Sequence, residues 1–186
     1  MHPFDWKLLK SEYVLQTRWL SLRADTCQLP TGRIITPYYV LEYPTWVNIV
    51  ALTKDFHVVL VRQYRHGVQQ TVLELPSGSV EQTDASLLVA AQRELFEETG
   101  YASDAFVETG RVSPNSANHA NLTYCFLATA VERIGEPVAD ETECVETVCM
   151  PLPEVIDLAR RGELLQAMHI SSLFFALNTL GRLQWT

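Results

Sequence analysis

The side chains best suited to chemistry lie between Glu74 and Tyr101, in the stretch ELPSGSVEQTDASLLVAAQRELFEETGY. Arg93, Glu94, Glu97 and Glu98 stand just before Gly100, a residue that stops helices. A helix turns 100° per residue, so positions i, i+3 and i+4 share a face. Glu94, Glu97 and Glu98 then form one carboxylate patch. Like charges held this close cost a few tenths of a kcal/mol per exposed pair, and acids sit badly at the negative C-terminal end of a helix dipole. Oxygen-rich clusters of this kind suit hard divalent cations such as Mg²⁺, which relieve the repulsion. The plain alternative is a solvated acidic helix end. The glycine turn at Leu75-Pro76-Ser77-Gly78 and the nearby arginine count against it. Arg93 lies four residues before Glu97, within reach of an orienting ion pair.

The elements that must position these groups are readable in outline. The pattern predicts a helix over 85–99, with Asp84 or Ser86 as its N-cap and Leu88, Ala91 and Leu95 as its buried stripe. Ahead of it, 46–52 and 57–63 are apolar, β-branched runs around a turn at Thr53-Lys54-Asp55, and read as strands covered on both faces. A short strand at 72–75 feeds the glycine turn. Further upstream, 12–16, 20–28 and 34–42 read as an antiparallel meander, with turn chemistry at Leu29-Pro30-Thr31-Gly32-Arg33. Pro44 separates the meander from the rest, giving an extension over 1–44 and a main domain over 45–186. Downstream follow strands at 105–112, 122–131 and 144–150, then helices at 153–161 and 168–180.

The segment after Gly78 resembles the Nudix box, G-x5-E-x7-R-E-U-x-E-E-x-G-U with U apolar. Arg93, Glu94, Leu95, Glu97, Glu98, Gly100 and Tyr101 match its second half without a gap. The first half departs, because the path from Gly78 to Arg93 is one residue longer than the pattern. Asp84 or Ala85 replaces the early glutamate, depending on where the extra residue is placed. In the family that glutamate mainly supports the geometry between loop and helix. The meander and the phrase VRQYR…LELPSG resemble the ADP-ribose pyrophosphatase branch of the Nudix hydrolases.

The resemblance implies an α+β fold, a Nudix α/β/α sandwich with a mixed central sheet plus the N-terminal β meander, assembled as a homodimer. It implies hydrolysis of a pyrophosphate joining a nucleoside to another group, with ADP-ribose the first choice. GDP-mannose, flavin or dinucleotide compounds and diadenosine polyphosphates are the alternatives within the class. A nucleotide-sugar-binding regulator is the alternative outside it. Glu94, Glu97 and Glu98 match the family's metal ligands for Mg²⁺ or Mn²⁺, with the Gly78 carbonyl an addition. Arg93 orients the glutamates. The general base is Glu98, or Glu141 or Glu143 in the acidic loop before residue 144. Arg65 and Glu74 lie near the substrate in this branch, and Trp19 and Trp46 fall where it builds a base site. Arg65 suits a phosphate because its planar guanidinium meets two oxygens at once. Pro114 lies near a proline that marks ADP-ribose cleavers. His119 could titrate near neutrality, but a lone loop histidine is more often structural and it stays outside the catalytic set.

Composition bounds the rest. At 186 residues and 47% apolar the chain can build an ordinary core. A net charge of −8 with no Lys/Arg run argues against a nucleic-acid surface. No run of eighteen apolar residues suggests a membrane span, and the N-terminus lacks the order of a signal peptide. Cys27, Cys125, Cys144 and Cys149 form no CxxC pair and read as reduced structural thiols. The expectation is a cytoplasmic enzyme acting on a small nucleotide sugar.

Overall fold

The computed structural model describes residues 2–138 and 144–183. The chain divides into two compact units. The first is the chain up to Pro44 together with Ser113–Leu122; the second is Thr45–Val112 with the chain from Thr123 onward.

In the first unit, β1 (Lys7–Gln16), β2 (Ser21–Gln28) and β3 (Ile34–Glu42) pair antiparallel in the order β1-β2-β3. The meander is therefore as expected. Strand β1 starts earlier than residue 12, with Lys7 opposite Gln28. Every residue of β1 is exposed, so no apolar alternation marked its first half. The segment Ser113–Leu122 is tied to the meander through its backbone. Leu41 N–H donates to the Asn118 carbonyl at 2.7 Å, and Ala120 N–H donates to the Leu41 carbonyl at 2.9 Å.

The second unit is built on one mixed sheet. Its elements are β4 (Trp46–Leu52), β5 (His57–Arg65), β6 (Gln70–Glu74), β7 (Ser77–Ser79), α1 (Leu87–Thr99), β8 (Tyr101–Ala102) and β9 (Phe106–Val112). They continue with β10 (Thr123–Thr129), β11 (Glu132–Arg133), β12 (Val145–Pro151), α2 (Leu152–Arg160) and α3 (Ala167–Thr179). The strand order is β12-β5-β4-β10-β9, with β6 added on β5 and β7 on β4. Strands β4 and β10 run parallel; the remaining pairs are antiparallel.

Successive residues of β4 point to opposite faces of the sheet. Val47, Ile49 and Ala51 pack with Ala90, Ala91 and Leu95 of α1. Val50 and Leu52 pack with Leu152 and Val155 of α2 and Leu173, Ala176 and Leu177 of α3. Helices thus cover both faces, which accounts for the largely apolar character of 46–52 and 57–63.

Two details of α1 differ from the sequence reading. The helix begins at Leu87, with the Ser86 hydroxyl accepting from Val89 N–H at 3.2 Å. Its buried stripe is Ala90, Ala91 and Leu95, whereas Leu88 is 40% exposed. Small side chains at 90 and 91 let the helix backbone approach the sheet, and that rotation carries Leu88 outward. Gly100 ends the helix in the left-handed region at φ +72°, its N–H on the Phe96 carbonyl at 2.7 Å. Among the described residues no helix is long and apolar enough to cross a membrane.

Candidate active site

The last two turns of α1 lie beside β7, a three-residue strand that the sequence reading took for a turn. Strand β7 pairs with the start of β4, placing Gly78 opposite Val47 and Ser79 opposite Trp46. The Glu98 carboxylate accepts from Ser77 N–H at 2.9 Å, and Glu98 is 8% exposed. Gly78 is extended backbone, so it is not needed for a positive φ. A Cβ there would fall well inside contact distance of the Glu94 carboxyl group. A larger residue at 78 would have to push that carboxylate aside, because it lies directly on the backbone there.

Arg93 is the hub of the arrangement. Its Nε donates to Asp84 Oδ1 at 3.1 Å and its Nη2 to Asp84 Oδ2 at 3.0 Å. Nη2 also donates to the Ser79 carbonyl at 2.9 Å. Nη1 donates to Glu94 Oε1 and to Glu97 Oε2, each at 2.9 Å. A guanidinium has five N–H donors, and these five acceptors use all of them. The charge-assisted bonds raise the Arg93 pKa further above its ordinary range, the Asp84 bonds foremost. The same bonds hold Asp84 below the usual carboxylate range. The repulsion among box acids is thus offset by one cation placed between them.

This geometry decides between the two candidates for the early box acid. Asp84, with a side chain only 3% exposed, is the residue on Arg93. The sequence held the signal: Gly78 to Asp84 keeps the spacing G-x5-acid, so the extra residue falls after the acid.

Arg65 and Glu74 are also brought together. Arg65 Nε and Nη2 both donate to Glu74 Oε2, at 2.9 and 2.6 Å, and Gln63 Nε2 adds a third bond to that oxygen at 3.1 Å. The Glu74 side chain is buried while that of Arg65 is 45% exposed, so the guanidinium reaches outward from a buried anchor. Just past Glu74, Leu75 N–H donates to His169 Nδ1 of α3 at 3.4 Å. His169 is 2% exposed. Burial, aided by the Arg65 charge, pushes its pKa down to about 3. Nothing in the local sequence marks this histidine as the group that fastens the backbone leading into β7.

Trp46 is half-buried at the head of β4. Trp19 belongs to the first unit, 67% exposed at the β1–β2 tip with the Arg18 guanidinium 4.1 Å from its ring centre. Glu141 and Glu143 lie outside the described residues. His119 sits in Ser113–Leu122, its ring 5.3 Å from that of Tyr43.

As they stand, no three acidic, imidazole or thiol groups among the described residues are gathered to hold a metal ion. Glu94 and Glu97 are turned onto Arg93 and Glu98 onto Ser77. In kind, however, the donors fit. Three carboxylates on one helix face, that of Glu94 lying against the side-chain-free backbone at Gly78, are the hard oxygen ligands that Mg²⁺ or Mn²⁺ prefers.

Comparison with known proteins shows the family. The profile described as the nucleoside diphosphate sugar hydrolase N-terminal domain matches residues 6–41, and the NUDIX domain profile matches residues 43–168. An ADP-ribose pyrophosphatase of Bacillus subtilis (strain 168) is 24% identical over 168 residues, covering 90% of each chain. The ADP compounds hydrolase NudE of Escherichia coli (strain K12) is 27% identical over 171 residues, 90% of this chain and 89% of that one. A methanol dehydrogenase activator of Bacillus methanolicus is 28% identical over 156 residues, 82% of each. The crystal structure of an ADP compounds hydrolase superposes with a TM-score of 0.82 over 96% of this chain and 97% of that one, at 24% identity, and shares the fold. With the NUDIX profile spanning 126 of 186 residues and its box built around Arg93, the chain belongs to the NUDIX family.

Proposed function

We propose that this protein is a metal-dependent Nudix pyrophosphohydrolase that cleaves ADP-ribose, or a closely related nucleoside diphosphate sugar, to a nucleoside monophosphate and a sugar phosphate. The observation that carries the reading is the intact carboxylate set on α1, with Glu94 and Glu97 held by an arginine whose donors are all engaged and Glu98 by Ser77 N–H. The relatives named as ADP-ribose pyrophosphatase and ADP compounds hydrolase support the substrate class.

Glu94, Glu97 and Glu98, with the carbonyl of Gly78, would hold Mg²⁺ or Mn²⁺. Such ions supply charge neutralisation at the pyrophosphate and acidify water. The chain's own groups do the remainder. Arg93 fixes the direction of Glu94 and Glu97. Ser77 N–H orients Glu98, which in this reading takes the proton from the attacking water. Glu141 and Glu143 remain the alternative bases. Arg65, anchored by Glu74, offers its outward guanidinium to a phosphate oxygen, while Trp46 or Trp19 offers a ring face to a base. The meander over 1–44 serves dimerisation and base contact, and 45–186 forms the hydrolase domain. We place the enzyme in the cytoplasm as a homodimer, its four cysteines being free thiols.

A panel of ADP-ribose, GDP-mannose, NADH, FAD and diadenosine polyphosphates, each with Mg²⁺ and with Mn²⁺, tests the reading. Turnover concentrated on ADP-ribose bears it out, whereas preference for a dinucleotide moves the chain to another Nudix class. The methanol dehydrogenase activator among the relatives motivates a second reading, a regulator that binds the nucleotide sugar. Binding of ADP-ribose with no turnover of any panel member would select it.

A further inference from the structure

Strands β4 and β5 pair directly at Ala51–Val59 and Leu52–Val58. Beyond that point the sheet forks. Strand β6 takes the far end of β5, with Glu74 opposite Val61, and β7 takes the head of β4, with Ser77 opposite Asn48. Two residues, Leu75 and Pro76, bridge the fork. Pro76 is fastened through its carbonyl, which accepts from Ile49 N–H at 2.9 Å. Proline has no N–H, so Leu75 supplies the one backbone donor of the link. Leu75 is fully buried, and a buried N–H needs an acceptor. His169 Nδ1 on α3 is that acceptor, at 3.4 Å. Burial, aided by the Arg65 charge, keeps the imidazole neutral, so Nδ1 keeps its lone pair. One turn along the same helix, the Ser172 hydroxyl accepts from Asn48 Nδ2 at 3.2 Å. Polar groups are costly to bury unless bonded, and each of these two has a bond that ends on the fork.

A group of the proposed site stands on either side of the link. Glu74, immediately before it, accepts from Arg65 Nε and Nη2 at 2.9 and 2.6 Å. Ser77, immediately after it, donates its N–H to Glu98 at 2.9 Å. We propose that His169 is a positioning residue of this active site: by holding Leu75 N–H it sets the spacing between the Arg65 guanidinium and the Glu98 carboxylate. It acts through the backbone of residues 74–77. The inference rests on the hydrolase reading for its kinetic arm alone.

Three variants of the full chain test it, each assayed at a temperature where circular dichroism shows it folded. His169→Leu keeps the bulk and removes the acceptor. His169→Asn restores one, because its Oδ1 and the lost Nδ1 both lie two bonds from Cβ. Leu177→Ala loosens the same helix in its apolar packing. His169→Leu is expected to lower kcat/KM for ADP-ribose at least about tenfold, as misplaced groups do. His169→Asn and Leu177→Ala are expected to stay within about threefold of wild type, the latter despite a lower Tm. Amide hydrogen exchange at Leu75 and Ser77, taken relative to the core amide of Val50, reads the fork without turnover. That ratio is expected to rise at least about tenfold in His169→Leu and to stay near wild type in the other two. Should His169→Leu not fold, His169→Gln, with its acceptor one bond farther out, takes its place under the same expectation. Either readout left within about twofold of wild type by the loss of the acceptor overturns the proposal. So does a Leu177→Ala that loses as much, or a His169→Asn that recovers nothing. If the wild type turns over no nucleoside diphosphate derivative, the hydrolase reading has failed, and exchange at Leu75 and Ser77 alone decides whether His169 sets the fork.

Discussion

Glu98 is the residue to test first in the proposed mechanism, since it is nearly buried and its carboxylate is already oriented by Ser77 N–H at 2.9 Å. Glu98→Gln keeps the shape and removes the proton acceptor. It is expected to lower kcat at least about 100-fold, the low end for loss of a positioned acid–base group. Steady-state kinetics on ADP-ribose measure this, and a loss of tenfold or less removes Glu98 from the core of the mechanism. Gly78→Ala probes the same site from the strand side. Its methyl group must displace the Glu94 carboxyl group, and a shift of about 1 Å in a catalytic group can cost about 100-fold in rate. A kcat reduced roughly 10–100-fold with a folded circular dichroism spectrum is expected; wild-type kcat would show that the close approach is irrelevant to activity. The grouping of Arg93 with the glutamates was legible in sequence because helical periodicity is local. The close approach at Gly78 was not, because it arises from a side chain sixteen residues away meeting the backbone of another element.

At the scale of elements, α3 holds the chain entering β7 through His169. The unfolded chain takes up a proton at the ordinary histidine value of 6.5, whereas the folded protein resists until about 3. Between those values the unfolded state binds more protons, so stability is lost as pH falls below 6.5, at up to about 1.4 kcal/mol per pH unit. His169→Gln removes this component. Urea unfolding at pH 7 and pH 5 is expected to show the wild type losing roughly 2 kcal/mol more than the variant over that interval. Equal losses would mean that His169 is not held neutral. Strands β4 and β5 were plain in the sequence because helices cover both faces, leaving a largely apolar run. The outward rotation of Leu88 and the short pieces β7, β8 and β11 were not. Two or three residues carry no periodicity, and they are strands only because a neighbour supplies the backbone partner.

At the scale of the molecule, β1 exposes Leu8, Tyr13, Val14 and Leu15, each about half accessible. A ten-residue strand with no buried position is an unfinished surface, and a second copy of the chain is the occupant the family resemblance favours. Light scattering on the eluting protein is expected to give twice the 21.1 kDa of the chain, and Val14→Asp to shift it toward monomer. A wild-type mass of 21.1 kDa would assign that surface to another role. The architecture followed from the box and the strand-turn rhythm, since both are written in local spacing.

The central claim is hydrolysis of a pyrophosphate by the carboxylate set on α1, and one measurement addresses it most directly. ADP-ribose is incubated with the protein and Mg²⁺, and phosphate is read after adding a phosphatase that cuts only the monoesters AMP and ribose 5-phosphate. Metal-dependent phosphate release from the wild type, falling at least about 100-fold with Glu98→Gln, is the result this account predicts. No release with Mg²⁺ or Mn²⁺ while ADP-ribose still binds, or release undiminished in Glu98→Gln, would contradict it.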